Sequence, residues 1–138
     1  MGALAGELGA SYTVGDVTDP AHLTQAVAET GERIGGLVFA VGTLQLKPVT
    51  RCTLDEMIHD FTVNAAAAAL AVQAALPGLK KGAESSSVVL YSSVAAGRGF
   101  GFHTSIAMAK GAVESLTRTL AAELAPRVRV NAIAPSLT

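Results

Sequence analysis

Three polar residues stand out in an apolar sequence because their groups could bind a polar ligand. Lys110 lies among alanines, a glycine and aliphatic residues in the first turns of a predicted helix. Asn64 lies in an alanine-rich segment, where asparagine is a poor helix former, and Ser93 follows an apolar run. Each also has a structural explanation: a snorkelling lysine, a loop hydroxyl bonded to backbone, and an amide that bridges to a loop. Their chemistry therefore depends on where the fold places them.

Three continuous apolar runs, residues 36–40, 87–91 and 127–133, predict the strands of a buried parallel sheet. A shorter strand is predicted over residues 11–15, after a helix that stops at Gly9. Alternation of these runs with helical segments predicts right-handed crossovers and a doubly wound α/β sheet.

Helix start and stop signals separate the predicted strands. Asp19-Pro20 predicts the start of one helix, with aspartate as the cap and proline in the first position. A capping-box pattern at Thr53 opens a long helix that we expect to reach about Leu76, before Pro77-Gly78. A second long helix is predicted from Thr104 or Ser105 to just before Pro126, with Glu114 and Arg118 spaced to pair.

Composition bounds the function. The 138 residues suggest one domain or part of one; half are hydrophobic and the net charge is −1, which argues against a nucleic-acid surface or an anionic membrane as partner. The single cysteine, Cys52, offers no internal disulfide, and no paired thiols suggest a metal. The apolar run over residues 65–72 is shorter than the roughly 20 residues that span a bilayer, so we expect a soluble cytoplasmic protein.

Small or polar residues follow each predicted strand, where ligands bind in such sheets. Together they resemble the short-chain dehydrogenase/reductase family, whose members are NAD(P)-dependent oxidoreductases on a Rossmann-type fold, and the resemblance covers residues 4–138. Asp16-Val17 matches the family's adenine-contacting pair, and residues 130–135, VNAIAP, match the segment that leads to the nicotinamide. Gly42 matches the glycine of the Asn-Asn-Ala-Gly motif, whose first three residues are replaced here by Phe39, Ala40 and Val41. Asn64 matches the helix asparagine, Ser93 the active-site serine and Lys110 the lysine of Tyr-x-x-x-Lys.

The resemblance implies roles for these residues. The lysine would bind the nicotinamide ribose and lower the pKa of a tyrosine one turn earlier, the serine would stabilise the substrate oxygen, and the asparagine would hold a relay water. It implies NAD or NADP as cofactor, with no metal, and a small carbonyl or alcohol substrate. The implied catalytic residues are Ser93, Lys110 and Asn64, and the implied cofactor contacts are Asp16, Val17, Gly42, Lys110, Pro135 and Ser136.

The tyrosine position of this motif is occupied by Ile106, four residues before Lys110 and thirteen after Ser93. Isoleucine has no proton to exchange, and a positioned general acid contributes roughly 10²–10⁴-fold to a rate. His103, seven residues before Lys110, is a candidate surrogate, and a loop histidine without a catalytic role is the alternative. By spacing, Ser105 lies on the wrong side of the helix, and Tyr91 ends a predicted strand, so the pleat of that strand decides where its side chain points.

The family's opening glycine-rich turn, which cradles the pyrophosphate, has no counterpart upstream of Asp16. We therefore expect the central part of a dehydrogenase, a partial NAD(P)-binding Rossmann-like domain over residues 1–138, impaired in catalysis. The alternative is a non-catalytic binding or assembly module. Family members pair through their long helices, so we expect a homo-oligomer through helices 53–76 and 104–125, although the first sheet strand would also offer an unpaired edge.

Overall fold

A three-stranded parallel sheet forms the centre of the chain. This computed structural model describes residues 2–82 and 85–136, and in that part of the chain the sheet order is β1-β2-β3. The strands are β1 (Gly36–Phe39), β2 (Ser86–Tyr91) and β3 (Val128–Ile133). The predicted Rossmann-type architecture is confirmed as an incomplete sheet, and the carboxyl ends of its strands meet at one edge.

Residues 11–15 do not form the predicted strand. They form no ladder of backbone hydrogen bonds with any described strand, although Tyr12 and Val14 are residue types that favour strands. A strand needs a neighbour for its backbone N–H and C=O groups, and β1 has none on its outer edge within the described residues. The strand-like pattern of 11–15 therefore remains without regular structure here.

The capping signals are confirmed at two helices. Helix α1 (Gly2–Leu8) ends at Gly9, which has φ 61°, and α2 (Pro20–Glu29) starts with Asp19 accepting a hydrogen bond from the backbone N–H of Ala21. Only a residue without Cβ adopts that φ at no steric cost, which explains the glycine stop.

The long helix runs past its predicted end. Helix α3 (Leu54–Phe61) opens with the complete Thr53–Glu56 capping box, continues through a π-helical turn (Thr62–Ala66) and then forms α4 (Ala67–Lys80). Pro77 lies inside α4, although it should disrupt the helix. Gly78 and Leu79 are buried, and the Gly78 carbonyl accepts a hydrogen bond from the N–H of Ile34, so tertiary packing holds this last turn.

The second long helix, α6 (Thr104–Leu124), follows the predicted bounds, after a single short turn α5 (Val94–Gly97). The predicted pairing of Glu114 with Arg118 does not form. The Glu114 carboxylate instead accepts a hydrogen bond from Ser92 Oγ at 2.9 Å, because the end of β2 lies against this face of the helix.

One face of the sheet carries the hydrophobic core. Phe39, Val88, Leu90, Val128 and Val130 point toward the long helices and are buried. The alternate residues point the other way, as the two-residue period of a strand requires, and are more exposed.

The long helix is also the most apolar one. By length and composition alone, Leu54–Lys80 could cross a membrane. The sequence-based expectation considered only the apolar run over residues 65–72, which is too short for that. In this structure 56% of its most apolar window is buried against the sheet and neighbouring helices, as is typical of a core helix.

Candidate functional site

Lys110 lies at the carboxyl end of the sheet. Its Nζ donates a hydrogen bond of 2.7 Å to the carbonyl oxygen of Tyr91. Tyr91 is the last residue of β2 and lies two residues before Ser93. The side chain is half-buried, and this burial lowers the pKa of the Lys110 ammonium because it removes water from the charged form. The lysine is therefore hydrogen-bonded to the strand end instead of extending freely into solvent.

Gly42 brings the lysine and the asparagine together. A Cβ at Gly42 would lie 2.6 Å from Asn64 Oδ1 and 3.5 Å from Lys110 Nζ, so both polar atoms face the same backbone position. A distance of 2.6 Å is shorter than a Cβ can tolerate, which explains why this loop position is glycine. Three of the predicted site residues thus converge after β1.

The Asn64 amide is buried within the π-helical turn. Its Nδ2 donates to the Asp60 carbonyl at 2.9 Å and to Thr43 Oγ1 at 3.0 Å. Its Oδ1 is buried and accepts no hydrogen bond from the described residues, on the side that faces Gly42. Turns of this type occur often at functional sites, and this one leaves an amide oxygen free to accept a donor from a ligand.

A buried carboxylate supports this arrangement, and the sequence reasoning missed it. Asp60 is 0% exposed; its Oδ1 accepts from Thr43 Oγ1 at 2.7 Å and its Oδ2 from Ser105 Oγ at 2.5 Å. The network joins α3, the loop after β1 and the first turn of α6. The available signal was an acidic residue four positions before Asn64, on the same helix face.

Ser93 begins the turn after β2. Its Oγ accepts a hydrogen bond from the Ala95 N–H at 3.2 Å, as an N-cap does. Because a hydroxyl also carries one donor, and no acceptor for it lies among the described residues, Ser93 can donate to a ligand oxygen. The neighbouring Ser92 is a structural tie, through its bond to Glu114.

Ser93 opens into a mainly apolar cavity of about 360 Å³. Its apolar walls include Leu44, Leu46, Phe100, Ile106 and Pro135, and its polar residues are Ser93, His103 and Ser136. No sequence pattern indicates Leu44, Leu46 or Phe100, because they lie in loops without regular periodicity. Such a mixture suits a small apolar molecule held by a few polar contacts.

The predicted adenine-contacting pair, Asp16-Val17, lies away from this cavity. Asp16 Oδ1 accepts hydrogen bonds from the backbone N–H and from the hydroxyl of Thr18, both at 2.8 Å. The backbone hydrogen bond, and to a smaller extent the hydroxyl bond, lower the pKa of the Asp16 carboxyl. Asp16 and Val17 line a small separate cavity of about 90 Å³ next to α2. Asp16 thus stabilises the turn before α2, and Asp19 caps that helix.

The candidate residues for proton delivery differ in their hydrogen bonds and in whether they line the Ser93 cavity. Ser105 is buried, and its hydroxyl proton is used by Asp60, which removes it as a donor to a ligand. Tyr91 contributes its carbonyl to Lys110, and its side chain does not line the Ser93 cavity. Ile106 is 3% exposed and lines that cavity together with His103.

Comparisons with known proteins identify relatives of this chain. A family model described as enoyl-(acyl carrier protein) reductase matches residues 1–138. The chain is 33% identical to the L-2,3-butanediol dehydrogenase of Corynebacterium glutamicum over 88% of this chain and 49% of that protein. It is 36% identical to the inactive 2-(S)-hydroxypropyl-CoM dehydrogenase 2 of Xanthobacter autotrophicus over 95% of this chain and 59% of that protein.

Solved structures show the same fold. A short chain dehydrogenase from Mycobacterium smegmatis superposes with a TM-score of 0.89 at 28% identity, over 99% of this chain and 59% of that one. The chain therefore spans about half to three-fifths of the length of the relatives that it matches.

Proposed function

The chain belongs to the short-chain dehydrogenase/reductase family of NAD(P)-using oxidoreductases, and on that premise we propose that it binds a nicotinamide dinucleotide and serves hydride transfer between that cofactor and a small carbonyl or alcohol substrate. The observation that carries the proposal is the convergence of Gly42, Asn64 and Lys110 beside the strand end that leads to Ser93.

The residues present fit the nicotinamide end of such a cofactor. The buried Asn64 Oδ1 and the half-buried Lys110 ammonium offer an acceptor and a donor at one backbone position without a side chain, which suits a sugar diol. Pro135 and Ser136 would contact the carboxamide, and Asp16 and Val17 the adenine. When bound, the nicotinamide supplies or accepts the hydride.

Ser93 would orient the substrate. Its free hydroxyl proton can be donated to a carbonyl oxygen, which gains negative charge as the carbonyl is reduced. The apolar walls of the cavity exclude water and favour a small substrate with an apolar body. The names of relatives, such as L-2,3-butanediol dehydrogenase and cyclopentanol dehydrogenase, support small secondary alcohols as the substrate class.

Cofactor binding is tested by thermal unfolding with NADH and with NADPH. A ligand at tenfold above its Kd stabilises the folded chain by about 1.4 kcal/mol, so at least one cofactor should raise the melting temperature. Gly42→Ala should remove the shift, because the new Cβ meets Asn64 Oδ1 at 2.6 Å, whereas Gly111→Ala, which meets nothing within 4 Å, should keep it. Unchanged melting with both cofactors at millimolar concentration contradicts the proposal.

A second function has support of its own. Ile106 stands where the motif has its tyrosine, and one relative is described as inactive, so a non-catalytic binding or assembly module of the same family is the alternative. It predicts cofactor binding or self-association without carbonyl reduction. We further propose that Ile106 impairs proton delivery to the substrate. We also propose that the chain forms one partial NAD(P)-binding domain and that it acts in the cytoplasm.

We also propose that two copies pair through helices 53–76 and 104–125. Leu54, Ile58 and Phe61 form an exposed apolar stripe on α3, and Met108 is exposed on α6. Ile58→Lys should shift the chain toward a monomer in analytical ultracentrifugation at micromolar concentration. Val38→Lys, at a 62% exposed residue of the edge strand β1, is the matched control and should leave the assembly intact. The opposite pattern would assign the assembly to the strand edge.

A further inference from the structure

One ring nitrogen of His103 is hydrogen-bonded, and the other has no hydrogen-bond partner among the described residues. Its Nδ1 lies 2.7 Å from the Gly101 carbonyl oxygen, which can only accept, so Nδ1 carries the proton. The neutral ring therefore has an unprotonated Nε2 that can accept a proton, and the charged ring can donate one from the same atom.

The backbone around His103 fixes the ring in place. Phe102, directly before it, adopts φ 65°, a left-handed conformation that a bulky residue adopts only when its surroundings enforce it. The Phe102 carbonyl accepts a hydrogen bond from the Lys47 N–H at 2.9 Å, and the Phe100 ring packs against the imidazole with centroids 5.5 Å apart. The Gly101 hydrogen bond, the Phe100 ring and the bond between Lys47 and Phe102 thus position the histidine.

The imidazole shares its cavity with Ser93 and Ile106. Among the described residues that line this cavity, His103 is the titratable one. Lys47, whose backbone pairs with that of His103, has its ammonium on Glu56, and Lys110, seven residues after His103, donates to Tyr91. Arg98, five residues before His103, is exposed and does not line this cavity. A substrate oxygen held by Ser93 therefore finds one group in this cavity that can exchange a proton.

We propose that His103 is a catalytic residue, the proton donor and acceptor of this site in place of a tyrosine at position 106. In carbonyl reduction, the hydride supplied by NAD(P)H forms the new C–H bond, the C=O π bond breaks, and the oxygen takes the Nε2 proton of the imidazolium. The products are an alcohol, the oxidised cofactor and a neutral imidazole; alcohol oxidation runs in reverse. The inference rests on the proposed oxidoreductase function.

The test uses the chain itself and a carboxylate, because a carboxylate imitates the charged oxygen of the reacting substrate. Cyclopentanecarboxylate binding is measured by calorimetry at pH 6 and pH 8 at constant ionic strength. If the imidazolium receives the carboxylate, affinity should be about tenfold or more higher at pH 6, since the ligand binds the protonated ring. His103→Gln should remove this pH dependence, and His59→Gln, the same change at an exposed histidine outside this cavity, should retain it.

An equal pH dependence in the parent chain and in His103→Gln, or no carboxylate binding by the parent chain at millimolar concentration, overturns the proposal. Nitrogen-15 NMR of the histidine rings gives a readout that does not depend on a variant. The neutral His103 ring should be protonated at Nδ1, with an Nε2 signal that moves when the carboxylate is added; an Nε2-protonated ring excludes the proposed role. Cofactor shifts in melting temperature that persist while these results fail would leave the oxidoreductase function standing without His103.

Discussion

Ile106→Tyr is expected to raise the rate of carbonyl reduction by about 10²-fold, at the lower end of what a positioned general acid contributes. Ile106 lines the Ser93 cavity one helical turn before Lys110, so a tyrosine hydroxyl there would lie near both the substrate oxygen and an ammonium that favours the phenolate. The rate is followed by the absorbance of NADH or NADPH with cyclopentanone as substrate.

Ile106→Phe is the matched control, because it introduces the same ring without the hydroxyl. A gain of equal size in both variants would assign the effect to packing in the cavity and would contradict the acid–base explanation. The double variant Ile106→Tyr, His103→Gln should keep most of the gain, since the new hydroxyl replaces the imidazole as proton donor. His103→Gln alone should lower the parent rate.

Asp60→Ala is expected to lower the free energy of unfolding by about 3 kcal/mol, because it leaves two hydroxyls, one half-buried and one buried, without their acceptor. These are the hydroxyls of Thr43 and Ser105, and their loss also releases the loop beside Asn64 from the start of α6. Asp60→Asn retains one acceptor oxygen and should lose less. Urea unfolding monitored by circular dichroism measures both changes.

Asp55→Ala provides the comparison for Asp60→Ala. Asp55 lies on the same helix α3 and is exposed, so its removal should cost no more than about 0.5 kcal/mol. If the two alanine variants unfold at the same urea concentration, the buried network does not contribute as described, and the positioning of Asn64 must come from helix packing alone.

The sequence predicts those features that local chemistry decides. Asp19, Thr53 and Glu56 mark helix starts in the sequence, because their side chains satisfy free backbone N–H groups close to them along the chain. The three strands follow from runs of apolar residues. By contrast, the extension of α4 beyond Pro77 depends on a contact with Ile34, which lies far away in the sequence.

The candidate site divides in the same way. The resemblance to the family implies that Ser93, Asn64 and Lys110 lie at the same end of the sheet, and the structure brings them there. The sequence did not predict that Ser93 and His103 line one cavity, nor that Asp60 connects the loop after β1 to α6. Such contacts join segments that share no local pattern, so neither periodicity nor capping signals can reveal them.

The register of the sheet has a consequence for the order in which the chain folds. Gly36 pairs with Ser87 and Ser86 pairs with Val128, so each ladder must close a loop of roughly 40 to 50 residues before its first hydrogen bond forms. Helices close their bonds locally and within microseconds, so α4 and α6 should exist before either ladder does. During that interval the alanine-rich side of α4 has no sheet to cover it, and the nascent chain is then most exposed to chaperones and to aggregation.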